Sequence, residues 1–302
     1  MEERMESLFR NRYAYRRETT FEWELKQGVS QKKLAKYWEG GILTEQMLCL
    51  MEGMVELSIM SAKQIESFFW LKWMPECYSK VRTVDGKNAY RGLIRQMNEY
   101  GILVPGIMKC EGKVVGSRVY GLSSGALQFF KEYHGSRQAC LSDKLDGLGN
   151  TDARLGSNLE YSTLLSVLSL NQLHLHVLGS YGRRFQSYGR IWINGSLPAN
   201  LYCTEGENIV VWSLRGGPSV YTRFREHVKS VEEFQYKAIH LPHQARHVVV
   251  VEHMEWPMEL QQYLSDVYAP NLVYTTDQEV FEGNAMKRYI EVTGANSYRF
   301  IG

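Results

Sequence analysis

"DGKNAYRGLIRQMNEYGIL", residues 85–103, has the features of an amphipathic helix that ends at a glycine and leads into an apolar strand. Apolar residues recur there at spacings of four and three and predict one buried stripe: Ala89, Leu93, Met97 and Tyr100. Gly101 predicts the end of the helix, because glycine readily adopts the left-handed conformation of helix C-termini. The opposite side carries polar and charged side chains: Lys87, Asn88, Arg91 and Arg95.

Two capped helices are predicted before this helix. In "TEQMLCLMEGMVEL", Thr44 precedes an apolar stripe and is a suitable N-cap. In "SAKQIESFFWL", Ser61 is followed three residues later by Gln64, which is the spacing of a capping box. The pattern therefore predicts three successive helices.

A β-hairpin and a further helix are predicted after residue 101. The segments "ILVPGIMK" and "VVGSRVYGL" flank a turn at Glu111-Gly112-Lys113, as expected for two paired strands. The following "SSGALQFFKEY" is a helix capped by Ser123 or Ser124. Three helices followed by a β-wing predict a winged helix-turn-helix.

Positive charge is concentrated around this predicted motif. Between Ser79 and Arg118, eight Lys or Arg residues face three acidic residues, whereas the whole chain of 302 residues carries a net charge of only +2. Asn can read adenine and Arg can read guanine in the major groove, while other cations hold phosphates. A solvated helix face is the alternative explanation. The predicted DNA-binding residues are Lys80, Arg82, Lys87, Asn88, Tyr90, Arg91, Arg95, Lys109, Lys113 and Arg118.

The chain is predicted to have four parts. Residues 1–40 form a basic arm or helix, and residues 41–135 form the winged helix. Residues 136–156 are rich in Gly, Ser and Asp and form a linker. Residues 157–302 form a second domain in which helices alternate with β-branched strands, so the fold class is α+β overall.

The second domain is predicted to begin with a helix, "SNLEYSTLLSVLSLNQ", and an alternating strand, "LHLHVLG". The strands "RIWING", "LPANLYCTE" and "NIVVWSLRG" follow, and then the helix "YTRFREHVKSVEEFQYKAI" and the buried strand "HVVVVEH". Its core order of helix, three strands, helix and strand resembles the restriction-endonuclease-like, or PD-(D/E)XK, fold.

The residues at the expected catalytic positions do not match a nuclease of that fold. Such an enzyme places an Asp on its second strand and a Glu/Asp-x-Lys motif on its third, where the carboxylates hold Mg²⁺. Ala199 follows Pro198 where the Asp is expected, and the third strand has Trp212 and Ser213 without a carboxylate. We therefore expect no catalytic residue, no metal site and no cofactor. The alternative is a relocated carboxylate site built from Glu160, Glu205 or Glu207.

The remaining sequence features concern the cellular compartment of the protein. The five cysteines are widely spaced, without a Cys-x-x-Cys pair, which predicts free thiols in a reducing, cytoplasmic environment. No run of about 18 apolar residues is present, so no membrane association is expected.

Together, "LTEQMLCLME", "MSAKQIESFFW", "AYRGLIRQMNEYGILV" and "SRVYGLSSGAL" resemble the replication-relaxation proteins of Gram-positive plasmids and mobile elements. The resemblance implies a winged helix followed by a degenerate restriction-endonuclease-like domain. It also implies origin or operator binding in plasmid replication or conjugative transfer.

The sequence-based hypothesis is a sequence-specific, double-stranded DNA-binding protein of a mobile element. A homodimer is expected, because winged-helix proteins commonly bind paired half-sites. The C-terminal domain would serve dimerisation, recruitment of replication or transfer proteins, or extra DNA contact. Two alternatives are a metal-dependent nuclease and a transcriptional regulator whose C-terminal domain senses a ligand or a protein.

Overall fold

The computed structural model describes residues 15–16, 18–24, 28–73, 84–134, 159–181, 187–193, 197–203, 208–233, 245–253, 255–265, 272–283, 285–294 and 297–301. The chain is of mixed α+β class, as predicted, and divides into two compact units. The N-terminal unit comprises Glu18–Asp143 with Asn150–Glu160. The C-terminal unit comprises Tyr161–Gly302 with Met1–Arg17 and Lys144–Gly149.

The N-terminal unit contains an antiparallel four-stranded sheet, in the order β1-β3-β4-β2, and five helices among its described residues. In chain order its elements are β1 (Thr19–Trp23), α1 (Gln31–Glu39), α2 (Glu45–Leu57), β2 (Ile59–Ser61), α3 (Ala62–Trp73), α4 (Val84–Glu99), β3 (Leu103–Cys110), β4 (Lys113–Leu122) and α5 (Ser124–His134).

The predicted helix caps are confirmed. The side chain of Thr44 accepts a hydrogen bond from the Met47 backbone N–H at 3.2 Å. Ser61 and Gln64 form the reciprocal capping box, with N···O distances of 3.1 and 3.3 Å. Of the two candidate caps for α5, Ser123 makes the bond, because its hydroxyl accepts from the backbone N–H of Ala126. These side chains bind N–H groups that the first helical turn leaves unpaired.

The two predicted turns are also confirmed. Gly101, two residues after the end of α4, has φ of 71°, and the Ile102 N–H donates to the carbonyl of Met97 at 2.8 Å. Glu111 and Gly112 both have positive φ, 50° and 75°, and connect β3 to β4. Positive φ at both central residues gives a two-residue hairpin turn whose twist matches that of the paired strands.

Strands β1 and β2 of this unit were not predicted from the sequence, and α1 lies in the segment predicted as a basic arm or helix. Strand β1 pairs with β3 over its whole length, and α1 packs on α5. Strand β2 has only three residues, all buried, and pairs with β4. The predicted boundary at residue 41 therefore falls inside this unit, because β1 and α1 both precede it.

The C-terminal unit contains a seven-stranded mixed sheet in the order β11-β10-β9-β8-β7-β6-β5, in which β7, β8 and β9 are mutually parallel. Its elements are α6 (Tyr161–Tyr181), β5 (Ser187–Ile193), β6 (Leu197–Cys203), β7 (Asn208–Ser213), α7 (Pro218–Glu233), β8 (Arg246–Val251), α8 (Trp256–Tyr263), β9 (Leu272–Thr276), α9 (Asp277–Glu282), β10 (Tyr289–Gly294) and β11 (Ser297–Ile301).

The sheet is covered on both faces. One face packs with α7 and α8 in a core that includes Trp212, Phe224 and Leu260. The other face packs with α6 and α9 in a core that includes Leu173 and Val250. Consecutive residues along β6, and likewise along β7, therefore point alternately into the two cores.

The predicted strand "LHLHVLG" is wrong, because these residues form the last turns of α6. The reason is the burial of this helix: residues 163–171 are all buried, and so are residues 173–175. A helix buried around most of its circumference has no polar stripe, so its sequence lacks the 3.6-residue period. The local alternation of His and Leu then resembled a strand.

Two glycines of the N-terminal unit give a matched stability test. A Cβ at Gly125 would overlap the carbonyl oxygen of Val29, whereas a Cβ at Gly92, inside α4, would meet no atom within 4 Å. Gly125→Ala should destabilise the unit by about 3 kcal/mol, as expected for severe overpacking. Gly92→Ala should stabilise it by about 0.5–1 kcal/mol, because alanine loses less entropy in a helix. Denaturant unfolding measures both, and equal effects would contradict the packing described.

Candidate nucleic-acid interface

Helix α4 is fixed by its apolar side and presents arginines on its exposed side. Leu93 and Met97 are buried, Tyr100 is half-buried, and the helix packs against α2, α3 and β3. Arg91 and Arg95 are exposed and lie four residues apart, so they share one side of the helix. This is the arrangement expected from the amphipathic pattern, with two long cations directed away from the core.

Tyr90 lies on the buried side of α4. Only 6% of the residue is exposed, so its ring belongs to the core of the N-terminal unit rather than to the exposed side of α4. Its hydroxyl oxygen accepts a hydrogen bond from Nε of Arg91 at 3.3 Å. This hydrogen bond raises the pKa of the Arg91 guanidinium, which stays charged. Tyr90 therefore positions Arg91.

Glutamates form ion pairs with three of the predicted DNA-binding residues. Lys109 Nζ lies 2.5 Å from Glu22 Oε2, and Arg118 Nη2 lies 3.0 Å from Glu24 Oε1. Arg95 faces Glu99 at a looser 3.9 Å, with 79% of its side chain exposed. The sequence did not indicate the first two pairs, because they depend on the pairing of β1 with β3.

The other predicted contacts divide into three groups. Lys113 is exposed and directly follows the hairpin turn. Lys80 and Arg82 lie outside the described residues. Lys87 and Asn88 lie within the bounds of α4, but their side chains are outside the description. Among the predicted contacts whose side chains are described, Arg91, Arg95 and Lys113 are therefore exposed.

In the C-terminal unit, the nuclease-like positions are occupied by core residues. Ala199 and Trp212 are direct partners in the pairing of β6 with β7. Both are fully buried in the core formed with α7 and α8, where Trp212 packs edge-on against Phe224. Neither residue offers an oxygen ligand.

The opposite face of β6 carries a network of amides around an arginine. Asn200 Oδ1 accepts a hydrogen bond from Nε of Arg190 at 2.7 Å, and Asn171 Oδ1, from α6, accepts from Nη2 at 2.6 Å. Asn200 Nδ2 also donates to the hydroxyl of Tyr202 at 3.0 Å. The two amide oxygens accept from Nε and Nη2 of Arg190, whereas its Nη1 is buried and has no hydrogen-bond partner among the described residues. The network joins α6 to the sheet.

The carboxylates of the relocated-site hypothesis are not brought together among the described residues. Glu160 is exposed directly before α6, and Glu205 and Glu207 lie outside the described part. Within the described ranges, no group of three His, Cys, Asp or Glu side chains could hold a metal ion.

A buried ionic cluster that the sequence analysis missed lies at the carboxyl ends of β7, β8 and β9. Arg215 is fully buried and makes two charge-assisted hydrogen bonds to Asp277, with Nη1 at 2.6 Å from Oδ2. It also donates to the hydroxyls of Ser169 and Ser213, at 2.7 and 3.1 Å. Glu252 Oε1 lies 3.9 Å from Nη1 of Arg215 and makes no hydrogen bond. One feature of the sequence could have indicated this cluster: the three charged residues each follow a strand rich in β-branched residues.

Burial controls the ionisation of Glu252. The pKa of this carboxyl is raised to about 7, mainly by burial and also by the nearby Asp277, while Arg215 and a hydrogen bond from the Tyr15 backbone N–H act in the opposite direction. One arginine thus faces two carboxyl groups, and Asp277 has the closer contact.

The chain matches no protein-family model, no curated protein and no solved structure. The family resemblance of the sequence motifs therefore stays a prediction. Among the described helices, none is long and apolar enough to cross a membrane.

Stability should depend on the protonation of Glu252. Because its folded pKa is raised, its stabilising contribution is complete below the unfolded value near 4.5 and is lost as pH rises through about 7. Glu252→Gln should remove this fall, which is at most about 3 kcal/mol, and should make the C-terminal unit more stable than wild type at pH 8. Urea unfolding from pH 5 to 8 measures the effect.

The matched control is Glu226→Gln, which changes an exposed glutamate of α7. This variant should retain the fall between pH 5 and pH 7. A Glu252→Gln variant with the same pH profile as wild type would contradict the assignment.

Proposed function

We propose that the protein binds double-stranded DNA through the exposed side of α4. The observation that carries this proposal is the pairing of β2 with β4, in the order α2-β2-α3-α4-β3-β4. That order and pairing support a winged helix-turn-helix, in which the third helix enters the major groove. Arg91 and Arg95 on α4 then face the bases and the phosphates.

The hairpin has a secondary role in this proposal. Lys113 follows the turn and is exposed, which suits a phosphate contact. Glu22 and Glu24 compete with phosphate for Lys109 and Arg118. Exposed pairs of this kind contribute about 0–1 kcal/mol, so DNA can displace them.

The C-terminal unit is proposed to be a restriction-endonuclease-like domain without catalytic activity. Antiparallel β5-β6-β7 followed by α7 and a parallel β8 support this fold. The buried Ala199 and Trp212 support the absence of nuclease chemistry. In this proposal the unit serves dimerisation, partner recruitment or extra DNA contact, and the protein acts in replication or transfer of a mobile element in the cytoplasm.

Substitution of the α4 arginines tests duplex binding. Arg91→Ala should weaken binding to a preferred duplex by about 1–3 kcal/mol if Arg91 reads a base. Arg95→Ala should weaken binding to all duplexes alike and reduce the slope of log K against log salt by about 1. Fluorescence anisotropy at several salt concentrations measures both.

The control is Lys32→Ala, which removes an exposed cation from α1. It should leave the preference of α4 for one duplex unchanged. If Arg91→Ala and Arg95→Ala both bind duplex DNA as wild type does, α4 is not the contact surface.

Substitution of the hairpin acids has the opposite expected effect. Glu22→Gln and Glu24→Gln release Lys109 and Arg118 from their partners, so both variants should bind duplex DNA more tightly, with a steeper salt dependence. Glu45→Gln, on the exposed first turn of α2, is the matched control and should change binding less. Weaker binding by the Glu22 and Glu24 variants would show that the hairpin does not face DNA.

A further inference from the structure

Strand β11 is the outermost strand at one end of the seven-stranded sheet. It pairs with β10, and residues 297–300 are all exposed. A strand buried on one face normally alternates between buried and exposed side chains. Residues 297–300 are therefore uncovered on both faces of β11 within the described part of the chain, whereas Ile301 packs partly against the core formed with α6 and α9.

Two aromatic side chains lie on one face of this strand. Tyr298 and Phe300 are two residues apart, so they point to the same side. They are 42% and 45% exposed, and their ring centroids lie 5.8 Å apart in an edge-to-face arrangement. Exposed aromatic rings in adjacent positions mark a binding surface more often than isolated apolar residues do.

An arginine lies over one of the two rings. The guanidinium of Arg288 lies over Phe300 at 4.3 Å from the ring centroid and also pairs with Glu279 at 3.3 Å. Arg299 lies between the two aromatic residues in sequence, so it points to the opposite face of β11, where it pairs with Glu291. Residues 285–301 contain three basic residues and one acidic residue. The Arg299–Glu291 pair is exposed and therefore weak. The side chain of Glu279 is only 12% exposed, but 53% of the Arg288 side chain is exposed and can meet a polyanion.

We propose that the face of β11 formed by Tyr298, Phe300 and Arg288 binds single-stranded nucleic acid. Unpaired bases stack on the two rings, since stacking on aromatic side chains is available to every base. Arg288 contacts a phosphate or continues the stack with its planar guanidinium. This surface is separate from the duplex contact proposed for α4.

Charge favours a nucleic acid over a second copy of the chain at this position. In an antiparallel pairing of two β11 strands about their centre, Arg299 of one copy would lie opposite Arg299 of the other. Like charges directly opposite each other destabilise a sheet. Phosphates, in contrast, complement the guanidinium of Arg288, which lies over Phe300 and is half-exposed.

The test uses the full chain and a fluorescent oligo-dT of about 15 nucleotides, within the known range of single-strand site sizes. Tyr298→Ala and Phe300→Ala should each weaken binding about fivefold or more, as expected for the loss of one stacked base. Tyr298→Phe and Phe300→Tyr keep the ring and should restore binding. Arg288→Gln should weaken binding and reduce the salt slope.

Trp38→Ala, which removes an exposed aromatic residue from the N-terminal unit, is the control and should bind oligo-dT as wild type does. Thermal unfolding of each variant reports whether the sheet is intact. Light scattering reports the oligomeric state.

Alanine variants that fold normally and bind oligo-dT within twofold of wild type would overturn the proposal. Loss of a dimer in these variants, with oligo-dT binding retained, would also overturn it and would assign β11 to a contact between copies. Duplex binding by the Arg91→Ala variant, measured in parallel, distinguishes a failure at β11 from a failure at α4.

Discussion

The N-terminal unit depends on the pairing of a three-residue strand, Ile59–Ser61, with β4. Ser61 is both the last residue of this strand and the N-cap of α3, so one residue fixes the end of the strand and the start of the helix. Ser58, at φ of 65°, makes the turn between α2 and β2. Because α2, β2 and α3 are thereby joined to the hairpin, α4 packs on a defined surface and its arginines take up a defined exposed position.

The C-terminal unit has a comparable constraint in the interaction of Arg215 with Asp277. The arginine extends from the carboxyl end of β7 to the first residue of α9, and it also binds Ser169 on α6. Breaking such a buried pair leaves an uncompensated charge, which is strongly destabilising. The pair therefore fixes two helices relative to the parallel strands, and burial beside it raises the pKa of Glu252.

The sequence was sufficient wherever a feature depended on neighbouring residues. Thr44, Ser61 and Gln64 bind backbone groups within three residues, and Gly101 ends its own helix, so a short window contains the relevant chemistry. The pairing of β1 with β3 joins residues about 85 positions apart. No local pattern records such a contact, and the neutralisation of Lys109 and Arg118 depends on it.

The C-terminal unit was harder to predict because its elements are buried on most sides. Helix α6 has no polar stripe, so its last turns resembled a strand. No local pattern distinguishes Asp277 and Glu252 from other acidic residues, and only the pairing of the three parallel strands places them beside Arg215. At the candidate interface, the sequence identified Arg91 and Arg95 correctly as exposed, but it could not show that the ring of Tyr90 lies in the core.

Hydrogen–deuterium exchange of the full chain with and without duplex DNA tests the central claim most directly. If α4 is the contact surface, added DNA should slow exchange in Val84–Glu99 and around the hairpin turn at Glu111 and Gly112. Exchange in α1 should change little. Protection confined to the C-terminal unit, with none in α4, would contradict the account.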